Sequence, residues 1–197
     1  LGTAAGLRIV GIGGTLRPRS SSGQALLFCL DHARALGARV DAFTGPDLVA
    51  PLYDPGAAGT PEPMARMIEA LRAADGIVLA SPGYHGGISG ALKNALDYVE
   101  ELSRDPRAYF DGRAVGCVAT AGGWQATGAT LSALRGIVHA LRGWPTPLGV
   151  ALNSSEPLFD DAGGCIDDRT RASLAAMTDQ VIDFARMRAG RGVADAA

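Results

Sequence analysis

No apolar run in the chain reaches the length a bilayer crossing demands, and the first residues carry no basic segment followed by an apolar signal core. A membrane span and export are set aside, and a soluble, cytoplasmic protein is the expectation. Cysteine is scarce: Cys29, Cys117 and Cys165 are too far apart for a CxxC or a Cys/His ligand spacing. Cys29 and Cys117 fall in apolar runs, which reads as buried thiols rather than zinc or redox chemistry, and no metal site is expected. Excess charge of either sign is missing as well. A formal net charge of -2, with Lys and Arg scattered singly, leaves no electrostatic footprint for nucleic acid or an anionic membrane surface. Any anionic ligand must be met by a few local charges.

What is present is 47% apolar content in 197 residues, enough for one good core and too little for two comfortable domains. A single domain over residues 1–188 is expected, with a flexible Gly/Ala-rich tail over 189–197. Apolar runs fit for strands lie at 7–12, 39–43, 76–80, 114–120 and 147–152. They alternate with helical spacings such as Leu26, Leu27, Leu30, Ala33 and Met64, Met67, Ile68, Leu71. The strand runs are continuous, as in strands buried on both faces. Five strands alternating with five amphipathic helices predict a parallel sheet covered on both sides, with right-handed crossovers and ligand-binding loops along one rim.

Three loops stand out. The first, over residues 13–22, joins the first strand to the first helix and is rich in Gly and hydroxyls, a phosphate-site pattern because free N–H groups and the positive dipole end converge at a helix start. The dinucleotide fingerprint fails here, since Leu16 stands where Gly11 and Gly13 require a third glycine, and no Gly-Lys-Ser/Thr completes a P-loop. What remains is a cradle in which Thr15, Ser20 and Ser22 donate O–H bonds and Arg17 offers charge; the plainer reading is that the serines merely cap the helix. The second loop, over residues 81–88, follows the central strand. Pro82 fixes φ there, Gly83, Gly86 and Gly87 let a flat ligand approach the backbone, and Tyr84 and His85 are the only bulky groups. Ser89 then serves as N-cap of a helix whose apolar stripe is Leu92, Ala95, Leu96 and Val99. The third loop opens after Thr120 into Gly122, Gly123, Trp124 and Gln125 and repeats the pattern of small residues with one amide and one large aromatic. Burial against a neighbour is the ordinary fate of Trp124.

The chain resembles the NADPH-dependent FMN reductases, flavodoxin-like proteins that share a T/S-L-R-x-x-S phosphate loop and a P-x-Y-[NH]-G-x-x-x-G-x-L-K-N-x-L-D segment. Here the first is Thr15, Leu16, Arg17, Pro18, Arg19, Ser20. The second is Pro82, Tyr84, His85, Gly86, Gly90, Leu92, Lys93, Asn94, Leu96 and Asp97. Pro51, Leu52, Tyr53 and Asp54 resemble the family's connection after its second strand. The resemblance implies a three-layer α/β sandwich with a five-stranded parallel sheet of order 2-1-3-4-5. It implies FMN phosphate on Thr15, Arg17, Ser20 and Ser22, with the ring against Pro82 to Gly87 and against Thr120, Gly122, Gly123 and Gln125. Gly83 stands where many members carry Glu or Gln, and His85 where many carry Asn; both bear on substrate preference more than on flavin binding.

The activity so implied is FMN-dependent NAD(P)H oxidoreduction, with NADPH or NADH as transient donor and a flavin, quinone, azo compound or partner monooxygenase as acceptor. The cofactor carries that chemistry, so no residue is nominated as a general acid or base. His32 and His139 read as surface or packing residues, and Lys93 as the i,i+4 partner of Asp97. A homodimer or homotetramer is expected from the same resemblance. Two other readings stay open: a flavodoxin-type electron carrier or regulatory flavin-binding protein, and a biosynthetic flavoenzyme that oxidises one small molecule.

Overall fold

The computed structural model describes residues 4–194. Strand β1 (Arg8–Gly13) lies between β2 (Arg39–Thr44) and β3 (Gly76–Tyr84), and β3 pairs in parallel with β5 (Ala114–Ala121). A two-residue β4 (Gly87–Ile88) folds back antiparallel on the end of β3. Beyond β5 the edge is shared by β6 (Trp144–Pro145) and β7 (Val150–Asn153), both parallel to it.

The sheet therefore has seven strands rather than the expected five, because the last strand is split and a short hairpin strand is added. The split has a local cause. Pro145 and Pro147 carry no N–H, so the ladder cannot run unbroken from Trp144 to Asn153. Side chains take over in the gap: Arg135 Nη1 donates to Thr146 O at 2.7 Å, and Leu148 N donates to Gln180 Oε1 at 3.0 Å. The central order β2-β1-β3-β5 keeps the flavodoxin-like succession, with the two edge pieces in the fifth place.

Helices cover both faces. On one side α1 (Ser21–Ala35) and α5 (Asp168–Ala194) pack their Leu26, Leu30, Leu174 and Val181 against Ile9, Val78 and Val118. On the other, α2 (Glu62–Arg72), α3 (Gly90–Asp97) and α4 (Trp124–Ala140) bring Met64, Met67, Leu92 and Leu134 to Val10, Ile77 and Val115. Alternate residues of each strand thus enter opposite cores, the reason the runs are apolar throughout. His32 Nε2 lies 2.8 Å from Asp179 Oδ1 and ties α1 to α5, while His139 is exposed. All three cysteines are free and buried; burial pushes the Cys29 and Cys117 thiols up to about 12.

Helix α5 continues to Ala194, past residue 189 where the composition suggested a tail, and residues 195–197 lie outside the described ones. Among the described residues no helix is long and apolar enough to cross a membrane.

Candidate functional site

The β1 end is sealed onto its neighbour before the first loop begins. Gly14 N donates to Ala80 O at 3.0 Å, and Gly13 sits at φ +144° with its backbone so close to Ala80 that any Cβ would overlap the carbonyl. The loop then turns outward at Thr15, whose Oγ1 accepts from Arg17 N at 3.0 Å. Ser20 is the N-cap of α1, accepting from Gly23 N at 3.2 Å, and its hydroxyl lies 3.4 Å from that of Ser22. Capping and ligand binding are therefore compatible at Ser20. Helix geometry leaves the amides of Ser21 and Ser22 without intrahelical acceptors, and both residues face a cleft of about 480 Å³.

The second loop is tighter than its composition suggested. Residues 81–84 are still strand, and the chain reverses in two residues, His85 at φ 50° and Gly86 at φ 87°, before pairing Tyr84 with Gly87. Positive φ at both central positions is the requirement of a type I′ hairpin, whose twist matches that of its strands. Ser81 Oγ accepts from Ser89 N at 3.0 Å and locks the base of the hairpin to the start of α3, where Ser89 Oγ in turn accepts from Leu92 N at 3.2 Å. The position of Gly83 is a packing matter: a Cβ there would stand 2.5 Å from Thr130 Oγ1 on α4, so a side chain at 83 would point toward that helix.

One cleft collects most of the expected residues. Thr15, Arg17, Ser20, Ser22, Pro82, Gly83, Tyr84, Thr120 and Gly122 all line it. His85, Gly86, Gly87, Gly123 and Gln125 do not: the hairpin carries the first three onto its exposed tip and outer arm, and α4 starts at Trp124 with Gln125 exposed. Trp124 is 61% exposed, against the usual fate of tryptophan, and lines a separate groove along β7. The structure adds residues beyond those expected to hold a ligand. Ser89, Gly90 and Ala91 bring a second helix N-terminus into the cleft, and Ser154 reaches it because its N–H donates to Ala121 O at 2.8 Å. The signal for Ser154 was its place just after the last strand.

Asn94 and Tyr98 act one layer behind. Asn94 Oδ1 accepts from Tyr53 N at 2.9 Å, Asn94 Nδ2 donates to Pro51 O at 2.9 Å, and Tyr98 OH donates to the same carbonyl at 3.0 Å. The Asn of the K-N-x-L-D run thus pins the connection after β2 to α3.

A family model described as NADPH-dependent FMN reductase matches residues 7–156. The chain belongs to the NADPH-dependent FMN reductase family. Among curated members, an FMN-dependent NADPH-azoreductase of Staphylococcus aureus strain USA300 is 35% identical over 123 residues, 61% of this chain and 62% of the relative. One from Staphylococcus haemolyticus strain JCSC1435 is 37% identical over 120 residues, 59% of each chain. The matched part thus spans less than two thirds of these azoreductases. In fold, the family member described here is similar to FerB, a flavoenzyme NAD(P)H:(acceptor) oxidoreductase from Paracoccus denitrificans. The TM-score is 0.75 at 17% identity, covering 92% of this chain and 98% of the other.

Proposed function

We propose that the cleft holds FMN and that the protein is an NAD(P)H-dependent oxidoreductase acting on a small acceptor such as a flavin, quinone or azo compound. The observation that carries the reading is the convergence of the 15–22, 82–84 and 120–122 segments on one cleft, with the N-terminus of α1 at one end of it. Its volume, about 480 Å³, falls within the range of small-molecule sites. The donor set fits a mononucleotide: two first-turn amides, the Ser20 and Ser22 hydroxyls and the Arg17 guanidinium suit a terminal phosphate. The small-residue wall from Pro82 to Gly83 and from Thr120 to Gly122 suits a flat ring.

When bound, FMN supplies hydride acceptance from the nicotinamide and onward reduction of the acceptor. The chain's own residues bind and orient: α1 anchors the phosphate, the sealed β1 and β3 ends set the floor, and Tyr84, 54% exposed, stands at the rim where an acceptor enters. A homodimer or homotetramer, a cytoplasmic location and delivery of reduced flavin to a partner monooxygenase belong to the same proposal.

The test is anaerobic mixing of FMN-loaded protein with NADPH and with NADH. Loss of the flavin absorbance band and its return on adding an azo dye or quinone is the expected result. Bound flavin that neither nucleotide bleaches would contradict the proposal and leave the carrier reading.

A further inference from the structure

Six consecutive residues, 148–153, line a groove of about 380 Å³ at the far edge of the sheet. Successive side chains of a strand point to opposite faces, so a groove that touches all six opens on the free edge, where the backbone is reached. Trp124 lines it from the start of α4, and Thr170 and Ser173 from the first turns of α5. Strand β7 is paired with β5 on one side only. Beyond that ladder its backbone makes one bond among the described residues, Asn153 O accepting from Glu156 N at 3.2 Å. Alternate residues of a strand turn N–H and C=O outward, so β7 presents an unpaired row, a template for one more strand.

The two edges of the sheet are protected differently. β2 carries Arg39 and Asp41, and Asp41 Oδ2 accepts from Arg8 Nε at 2.6 Å; charges of this kind keep an edge strand from pairing. Pro145 and Pro147 guard the β6 part of the opposite edge. β7 has neither device: no residue from 143 to 155 is charged, and the next proline after Pro147 is Pro157. Both tryptophans of the chain flank it instead. Trp124, 61% exposed, stands at its C-terminal end, and Trp144, 59% exposed, lies on β6 before its other end, its ring centred 5.8 Å from that of Phe184.

An uncharged strand edge with a large aromatic beyond each end is complementary to itself. A two-fold axis across β7 lays it antiparallel on the same strand of a second copy and carries the Trp124 end of each toward the β6 end of the other. No like charges are opposed there. The charged β2 edge takes no further strand, so the pairing closes at two copies instead of running on as a fibre.

We propose that β7 is a dimerisation edge, through which two copies of this chain form one continuous sheet with Trp124 and Trp144 as its aromatic anchors. The inference rests on the functional proposal only for self-association, to which it gives a face. The groove shares no lining residue with the 480 Å³ cleft, so that cleft stays open in the pair.

The test is hydrogen exchange read by mass spectrometry, with sedimentation velocity on the same samples of the full chain over a concentration series. Amides of residues 149–153 should gain protection as the dimer forms, and those of residues 39–44 should not change. Ala151→Lys, which adds to β7 the charge that guards other edges, and Trp124→Ser, which lies outside the strand, should each weaken the dimer about a hundredfold and abolish that gain. Two variants at unlike positions keep a folding defect in either one from deciding the result. A dimer that survives both variants, or that forms with no protection at 149–153, overturns this face and leaves self-association standing. A monomer at every concentration overturns both. A monomer whose 149–153 amides are protected only by an added extended peptide would make the edge a peptide site, and that also overturns the inference.

Discussion

At the N-terminal end of the sheet the Arg113 side chain, 1% exposed, is spent entirely on backbone carbonyls. Nε donates to Ala74 O at 3.0 Å, Nη1 to Tyr109 O at 3.0 Å and Asp111 O at 3.4 Å, and Nη2 to Arg72 O at 3.1 Å. Those acceptors include the last carbonyl of α2, that of Arg72, where the helix dipole favours a cation. Burial, opposed by nearby carboxylates, pulls the guanidinium down to about 10, so it stays charged at neutral pH. At the C-terminal end the polar groups are arranged the other way. Ser21 and Ser22, whose amides have no intrahelical acceptor, line the cleft, Arg17 is exposed, and the side chains that do bond internally, Ser20, Ser81 and Ser89, shape the rim without filling it. One end is closed by a side chain that satisfies the backbone; the other is held open by short side chains that leave donors for a ligand. A parallel sheet presents different groups at its two ends, and this chain uses the difference to separate stability from binding.

The largest effect that sharpens this contrast is expected from Arg113→Met. Several buried carbonyls lose their donor, which costs about 3 kcal/mol or more and lowers Tm by roughly 6–12 °C, while the FMN dissociation constant measured well below the melt stays the same. A parallel loss of FMN affinity would show that the two ends are coupled. Next is Gly83→Ala at the rim, where the new methyl meets Thr130 Oγ1 and overpacking costs about 1–3 kcal/mol. Combining it with Thr130→Ala removes the obstructing oxygen, and thermal melts should recover more than half of the loss. A double variant as unstable as the sum of the single ones would mean that the Gly83 backbone, rather than the space beside it, is what the fold requires.

Much of the architecture was legible because it depends on local pattern. Continuous apolar runs marked the strands, Ser20 and Ser89 announced their helices, and Lys93 does meet Asp97 across one turn. Other features follow from turn and helix-start geometry, or from distant contacts, that composition alone does not give. The hairpin at His85 and Gly86 exists because Tyr84 pairs with Gly87, and that pairing takes His85, Gly86 and Gly87 off the cleft wall. Gln125 and Gly123 fell outside it because α4 begins so early that the helix carries them away. Arg113 looked like one more scattered surface charge; its burial depends on carbonyls some 40 residues upstream meeting those just before it. The start of α3 was legible too, since Ser89 and the apolar stripe behind it seat that helix with its N-terminus toward the loop; Leu16 and Ser154 join the cleft through the shape of the rim.

The central claim is that the 15–22 loop grips the phosphate of FMN, and comparison of FMN with riboflavin tests it most directly. Fluorescence titration of the apoprotein should show FMN binding much more tightly than riboflavin, with Arg17→Ala weakening FMN about tenfold, the scale of one charge-assisted bond, and leaving riboflavin almost unchanged. Equal affinity of the wild type for the two flavins, or equal losses for both in Arg17→Ala, would contradict it.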